Sequence, residues 1–364
     1  MRFRCFFFLF PLLLQAAYPE FYIWQRKYTE DVEFSIIYVN KAGCKRYYFV
    51  AGELENNGKT VAVSPAYPDW LAGKVTPVIR IHIKHLATPT VKLAQQILKL
   101  YTPWQKCRSL QIDLDAPESK ISYYTALIKE LRKLLPDTEL SATVLPCHLR
   151  HKREFLQLAK VCDFYVLQIH GLEKRRGKWS IMDKNTAINA ISRAVNYKQK
   201  FKIAAPLYSH NIDGITVKPD LKLVSLICRF AKQNDIGVIF FRLGIPGDRE
   251  TFDSSRQIDL WHDRYEPVIQ HYWEVAENGA WHLYIQQFGY FSEKVTLDLQ
   301  WKDGFQITDA DTFNGAKLSF DRKKLTITLP PDSVKRAVLW LRTPAPFDKA
   351  TSPLTITRKD TAKK

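Results

Sequence analysis

From residue 20 to about residue 245 the chain alternates between two patterns. Short runs rich in β-branched and aromatic residues begin near positions 20, 47, 75, 109, 140, 163, 200 and 236: EFYIWQRK, YYFVAGEL, VTPVIRIHI, SLQIDLDA, LSATVLP, DFYVLQIHG, KFKIAAPLY and IGVIFFRLG. The segments between them are of helical period. One opens at Thr29 with two acids behind it and stops at Gly43, as capping and the helix dipole require. Another starts at Ser119, places Tyr123, Leu127, Leu131, Leu134 and Leu135 at roughly helical spacing, and ends before Pro136. Asp183 is placed to cap NTAINAISRAVNYK, and Asp220 stands at the start of LKLVSLICRFAKQ. Strand and helix in alternation imply parallel strands with crossover helices. Eight such units predict an α/β fold, a (β/α)8 TIM barrel.

After Trp261 the pattern changes. The spacing predicts a helix around His262 to Glu277 and then strands without helices, WHLYIQQ, KVTLDLQW, AKLSF, LTITLP and AVLWLRT, with turn signals such as Asn314-Gly315. The expected organisation is a barrel domain over 18–277, an antiparallel β-sandwich over 278–343 and a basic, loose tail over 344–364. The first seventeen residues, MRFRCFFFLFPLLLQAA, have the basic start, apolar stretch and small-residue end of a signal peptide, and are too short to span a bilayer comfortably. They predict export to the periplasm or beyond; an uncleaved anchor is the alternative.

Within this frame the fourth strand is unusual. Gln111, Asp113 and Asp115 occupy alternate positions and so one face. In a barrel the carboxyl ends of the strands bear the site, and two acids there are costly unless something uses them. Two carboxylates about 7 Å apart along one strand disfavour each other's ionisation, which is the acid/base arrangement glycosidic cleavage needs. Other strand ends supply compatible groups: Trp24, Glu53, Arg80 with His82, Gln168 with His170, Tyr208 and Arg242. An aromatic platform ringed by polar groups suits a sugar. Each also has a plain alternative: core aromatics for Trp24 and Tyr208, a structural ion network for Glu53, Arg80 and Arg242, and a loop start for His170.

Charge narrows the partners. The chain has a formal net charge of +17, and losing Arg2 and Arg4 with a leader lowers it by two. A basic exported protein suits acidic polysaccharide or an anionic envelope surface, held peripherally, better than nucleic acid; a solvated basic surface is the bland alternative. The densest patch runs from Lys174 to Lys202 on a loop and helix face that need not touch the site. Cys44, Cys107, Cys147, Cys162 and Cys228 match no zinc spacing, and their odd number leaves at least one unpaired. Cys147, His148 and His151 read as a solvated loop. No cofactor and no resident metal is expected.

The set YIWQR, AGE, IRI, QIDLDAP followed by YYTALIKELRKLLP, LSATVLP, FYVLQIHG and IFFRLG resembles the bacterial family known as domain of unknown function 3142, over roughly residues 20 to 245. The resemblance implies a barrel and an exported location, and no reaction. More loosely, strand four is similar to that of chitinase-like glycoside hydrolases, which ends in D-x-x-D-x-D-x-E. Aligned on Asp113 and Asp115, this chain has Leu110 at the first acid and Pro117 where the catalytic Glu stands, with Glu118 one residue late.

Three functions are weighed. The first is a glycoside hydrolase with Asp115 as general acid, Asp113 as its tuning partner, and His170 or Glu53 on the other face of the sugar. The second is a non-catalytic polysaccharide-binding or envelope protein, favoured by the missing Glu. The third is metal-dependent deacetylation or hydrolysis, with Asp113, Asp115, His82 and His170 as ligands.

Overall fold

The computed structural model describes residues 18–175, 177–264, 268–288, 295–302, 304–319, 323–329, 335–344 and 353–359. The expected leader, residues 1–17, and much of the expected tail lie outside them. The chain forms two compact units, dividing between His262 and Asp263.

The first unit is a closed barrel. Its eight parallel strands are β1 (Pro19–Ile23), β2 (Tyr47–Leu54), β3 (Val75–Ile81), β4 (Ser109–Leu114), β5 (Glu139–Val144), β6 (Phe164–Gln168), β7 (Phe201–Pro206) and β8 (Gly237–Phe241). Each pairs with the next, and β1 closes the ring by pairing with β8 at Pro19–Val238 and Phe21–Phe240. Seven helices follow seven of the strands: α1 (Glu30–Lys41), α2 (Thr90–Tyr101), α3 (Ile121–Leu134), α4 (Lys152–Val161), α5 (Lys184–Asn196), α6 (Leu221–Gln233) and α7 (Ser254–Trp261).

The predicted caps form. Thr29 accepts from the Val32 N–H, Asp183 from Thr186 and Asp220 from Leu223. Gly43, at φ +98°, takes the left-handed turn that ends α1. The expected helix between β2 and β3 is absent. Asn57-Gly58 turns the chain into a short strand, Thr60–Ala62, back along β2, and Pro65 and Pro68 leave room only for a 3-10 turn at Asp69–Leu71.

The barrel interior is filled in layers, as a packed core requires. In the lowest, the Lys202 ammonium donates to both Glu20 carboxylate oxygens at 2.8 and 2.7 Å and to the Tyr48 hydroxyl at 3.0 Å. It lies 4.9 Å from the Phe164 ring centre. Gly237 makes this possible, because a Cβ there would stand 3.0 Å from Lys202 Cγ. Above it sit Tyr22, Val78, Val166, Ala204 and Ile239, with Gln111 fully buried among them.

The second unit consists of two four-stranded antiparallel sheets. One is built from β9 (Val268–Val275), β10 (Trp281–Phe288), β15 (Arg336–Arg342) and β12 (Asp309–Thr312), in that order. The other runs β13 (Lys317–Leu318), β14 (Lys324–Leu329), β11 (Val295–Trp301) and β16 (Leu354–Lys359). Leu283, Ile285 and Leu339 of the first sheet share a core with Leu297, Leu299 and Ile327 of the second, which makes the unit a β-sandwich.

Two sequence expectations fail here. The helix expected over His262 to Glu277 does not form among the described residues: α7 ends at Trp261 and Val268–Val275 is strand β9. VIQHYWEV pairs residue for residue with β10, and Ile269 and Trp273, four apart and both toward the core, fit a period of two as well as one of 3.6. The stretch expected to be a loose tail contains β16, whose Leu354 and Ile356 pack on the sandwich core.

Candidate functional site at the carboxyl end of the barrel

The strand register assembles a charged row. Glu53 of β2 lies level with Arg80 of β3, and Arg80 with Asp113 of β4. A bulge between Val50 and Gly52 changes the parity of β2, so that Glu53, rather than its neighbours, meets Arg80. Glu53 is buried, 6% exposed, and is held at 2.6 Å by Arg26, which reaches over from the β1–α1 loop. Arg80 itself is exposed at the strand end.

Asp113 and Asp115 interact with each other. Loss of hydration and then the neighbouring Asp115 charge raise Asp113 from 3.8 to about 7, against a Thr143 hydrogen bond and the attraction of Arg80. Asp115 is also raised, first by lost hydration, with Arg80 and His148 opposing. The two acids differ in access. Asp113 is half-buried, whereas Asp115 is exposed. Enough protein surrounds Asp115 for dehydration still to lead its rise. The pair therefore retains a proton close to neutral pH, with its outer member open to solvent.

A second group of side chains is aromatic. Phe241 at the end of β8 stands 5.2 Å from Trp24, 5.3 Å from His170 and 5.4 Å from Tyr208, measured between ring centres. His170 Nδ1 and the Tyr208 hydroxyl are 3.2 Å apart. Burial drives His170 down to about 3, so its imidazole is neutral at ordinary pH and a weak base. Burial, and then the nearby Asp115 charge, push the Tyr208 phenol up to about 12, which keeps it a hydrogen-bonding hydroxyl.

A cavity of about 550 Å3 opens beside Asp115, with Gln168, Ile169 and His170 among its lining. Trp24, Glu53, Arg80, His82, Tyr208 and Arg242 are not part of that lining. A larger recess, about 830 Å3, lies at the opposite strand ends around Glu139, Phe164 and Lys202, remote from the acid pair.

Several predicted residues are engaged elsewhere. Gln111 does not reach the mouth; its amide donates to the Tyr22 hydroxyl at 2.6 Å and to Thr143 at 3.0 Å in the packed interior. His82 accepts from the Lys84 N–H at 3.3 Å and caps a 3-10 turn. Gln168 donates to the His170 carbonyl at 3.3 Å. Arg242 is tied to Asp248 at 2.9 Å and Glu250 at 3.3 Å. Glu118, the acid one residue late, pairs with Arg150 and, at 2.8 Å, with His151. These contacts hold its carboxyl below the usual range, His151 contributing most, so Glu118 is a poor proton donor.

Sequence reasoning missed three participants. Thr143 supports Asp113, and its place at the end of LSATV on the neighbouring strand is the signal that would have found it. Phe241 holds the centre of the aromatic group and is also a strand-end residue. His148, expected on a solvated loop, is fully buried. Its Nδ1 accepts from the Leu145 N–H at 3.2 Å, so Nε2 carries the proton and donates to the Ala116 carbonyl at 2.6 Å, fixing the backbone just beyond Asp115. The five described cysteines are free thiols. Among the described residues no cluster of three or more His, Cys, Asp or Glu side chains is placed to hold a metal ion, so the ligand set Asp113, Asp115, His82 and His170 does not assemble.

Residues 73–225 match the model of a protein family described as domain of unknown function (DUF3142), a stretch that runs from β3 into α6. No curated protein matches the chain. Among solved structures, a provisionally assigned alpha-L-fucosidase from Bacteroides thetaiotaomicron VPI-5482 is similar at 9% identity and a TM-score of 0.46, over 68% of this chain and 93% of that one. The ICChI chitinase of Ipomoea carnea aligns at 10% identity and a TM-score of 0.38, over 62% of this chain and 94% of that one. A structure described as an arabinofuranosidase aligns at 9% identity and a TM-score of 0.39, over 90% of this chain and 96% of that one.

Proposed function

We propose that the protein is an exported, glycan-active barrel, a glycoside hydrolase whose acid is the Asp113–Asp115 pair. The observation that carries this reading is a carboxylate pair at a barrel mouth that holds one proton near neutrality, with one member open to a cavity. Asp115 faces the bound sugar and gives its proton to the glycosidic oxygen as the bond to the anomeric carbon breaks; a water molecule then adds to that carbon and returns a proton to the ionised pair. Asp113 stabilises the proton on the pair beforehand, and Arg80 stabilises the negative charge left behind. Neutral His170, on the cavity lining, serves as a hydrogen-bonding group rather than a base, and the rings of Trp24, Phe241 and Tyr208, outside that lining, offer apolar surface at the barrel mouth for a neighbouring part of the glycan. Export rests on the expected leader, and the basic surface would favour peripheral contact with an anionic envelope.

A second reading, a non-catalytic polysaccharide-binding protein, is favoured by one observation. Glu53 and Glu118, the other acids suggested for the site, are both neutralised by arginine. The same experiment separates the two. Wild-type and Asp115→Asn proteins are assayed for reducing ends released from a panel of polysaccharides, with binding measured in parallel. Hydrolysis should fall by about a hundredfold or more in the variant, with its melting temperature little changed. Binding without product by both proteins supports the second reading, and binding of no glycan by either refutes both.

A further inference from the structure

The segment from Glu173 to Arg193 carries six basic residues against two acidic ones. It is a hairpin, Glu173–Arg175 paired with Lys178–Ser180, leading into α5, and together they wall the cavity beside Asp115. Two residues of the basic patch, Arg175 and Arg193, therefore border the site, whereas Lys174, Lys178 and Lys184 are not part of that lining and Lys200 and Lys202 line the recess at the opposite strand ends.

The wall is braced. Arg175 contacts Glu173 at 2.9 Å in its own strand, Asp183 at 3.1 Å at the N-cap of α5 and Thr186 Oγ1 at 3.1 Å within the helix. The Gly171 N–H donates to the Ile181 carbonyl at 2.8 Å, fastening the hairpin's base to the end of β6. Arg175 is thus a strut. Arg150, also on the lining, pairs with Glu118. Arg193 differs from both. It lies one helical turn beyond Asn189, both residues line the cavity, and it forms no ion pair with any described residue. A guanidinium has five N–H donors and stays charged. An exposed one that forms no ion pair, on a cavity lining that also carries Arg150, is matched by an oxyanion.

We propose that this wall is a subsite for an anionic substituent, a carboxylate, sulfate or phosphate, carried by a sugar of the chain that Asp115 acts on, with Arg193 as its principal partner and Arg150 in support. The inference rests on the glycan reading and deepens it, making Arg193 a specificity-determining residue.

Full-length Asp115→Asn protein, which needs no turnover to report binding, is titrated with a hexauronate, a sulfated hexasaccharide, an uncharged hexasaccharide and inorganic phosphate. In about 0.1 M salt, where the Debye length is about 10 Å, one charged glycan should bind about tenfold or more tighter than the uncharged one. The advantage should shrink in strong salt and disappear in Arg193→Gln, with part retained in Arg193→Lys, which keeps the charge and loses the fork. Ranking the carboxylated against the sulfated chain identifies the substituent; competition by phosphate against the charged chain alone is a further expected result. Equal affinity for charged and uncharged glycans, or a charge preference that survives Arg193→Gln, overturns the subsite and leaves the glycan reading standing. Binding of neither glycan overturns both.

Discussion

Replacing Asp113 with Asn should stabilise the protein at alkaline pH, although it removes a charged group next to an arginine. Asp113 is raised from 3.8 to about 7 in the folded chain, whereas in the unfolded chain it titrates near the ordinary value. A carboxyl raised on folding binds its proton more tightly in the native state, so the native state loses stability as pH rises between the two values. Each pH unit in that window is worth about 1.4 kcal/mol. Between pH 5 and pH 8 the native carboxyl keeps its proton for about two units, so wild-type stability should fall by about 3 kcal/mol from this group. Asn cannot ionise and still offers an amide to Thr143, so Asp113→Asn should lose this pH dependence and exceed wild type at pH 8. Urea unfolding at pH 5 and pH 8 for both proteins measures the difference directly. A wild-type stability that is flat over this range, or an Asp113→Asn protein less stable than wild type at pH 8, would show that Asp113 is ionised without cost and that the pair shares no proton.

Two other outcomes follow from the same geometry. If the pair is the acid, kcat/KM on any cleaved glycan should decline as pH rises through an apparent value near 7, because the proton-bearing form is the active one; His170, driven down to about 3, should add no transition near its usual value, and a profile that rises through pH 7 would refute the assignment. Lys202→Met should destabilise the barrel by about 3 kcal/mol or more, since it strands the Glu20 carboxylate beneath Tyr48; urea unfolding should recover much of that loss in the Glu20→Gln, Lys202→Met double variant, and a single variant as stable as wild type would mean the floor ion pair is dispensable.

The barrel was legible because period-two and period-3.6 patterns alternate cleanly, and because Thr29, Asp183 and Asp220 announce their helices. Legibility failed where local composition competes with pattern. Between β2 and β3, two prolines and an Asn-Gly turn outweigh the expectation of a helix. At Val268–Val275, aromatic residues that fit a helical stripe are used as a strand, because a facing sheet of Leu297, Leu299 and Ile327 needs covering. For the candidate site, strand-end position named Asp113, Asp115, Trp24, His170 and Tyr208, and the structure gathers them at one end of the barrel. Position alone could not tell a pointing residue from a plugging one. Gln111 sits one step deeper than Asp113 and becomes interior packing, and Arg242 follows the strand end into a loop that supplies its own acids. Partner choices such as Glu118 with Arg150 join side chains from different loops, and no spacing in the chain encodes them.

The closure of the ring through β1 and β8 also constrains how the molecule can be made. The first stave to emerge during synthesis has its final neighbour more than two hundred residues away, so until Gly237–Phe241 arrives the nascent barrel is an open, curling sheet with two raw borders. Each border displays unpaired backbone groups that invite pairing with other chains. For that interval the protein depends on speed or on company, and a lesion that merely delays β8 would be felt as aggregation rather than as a weaker fold.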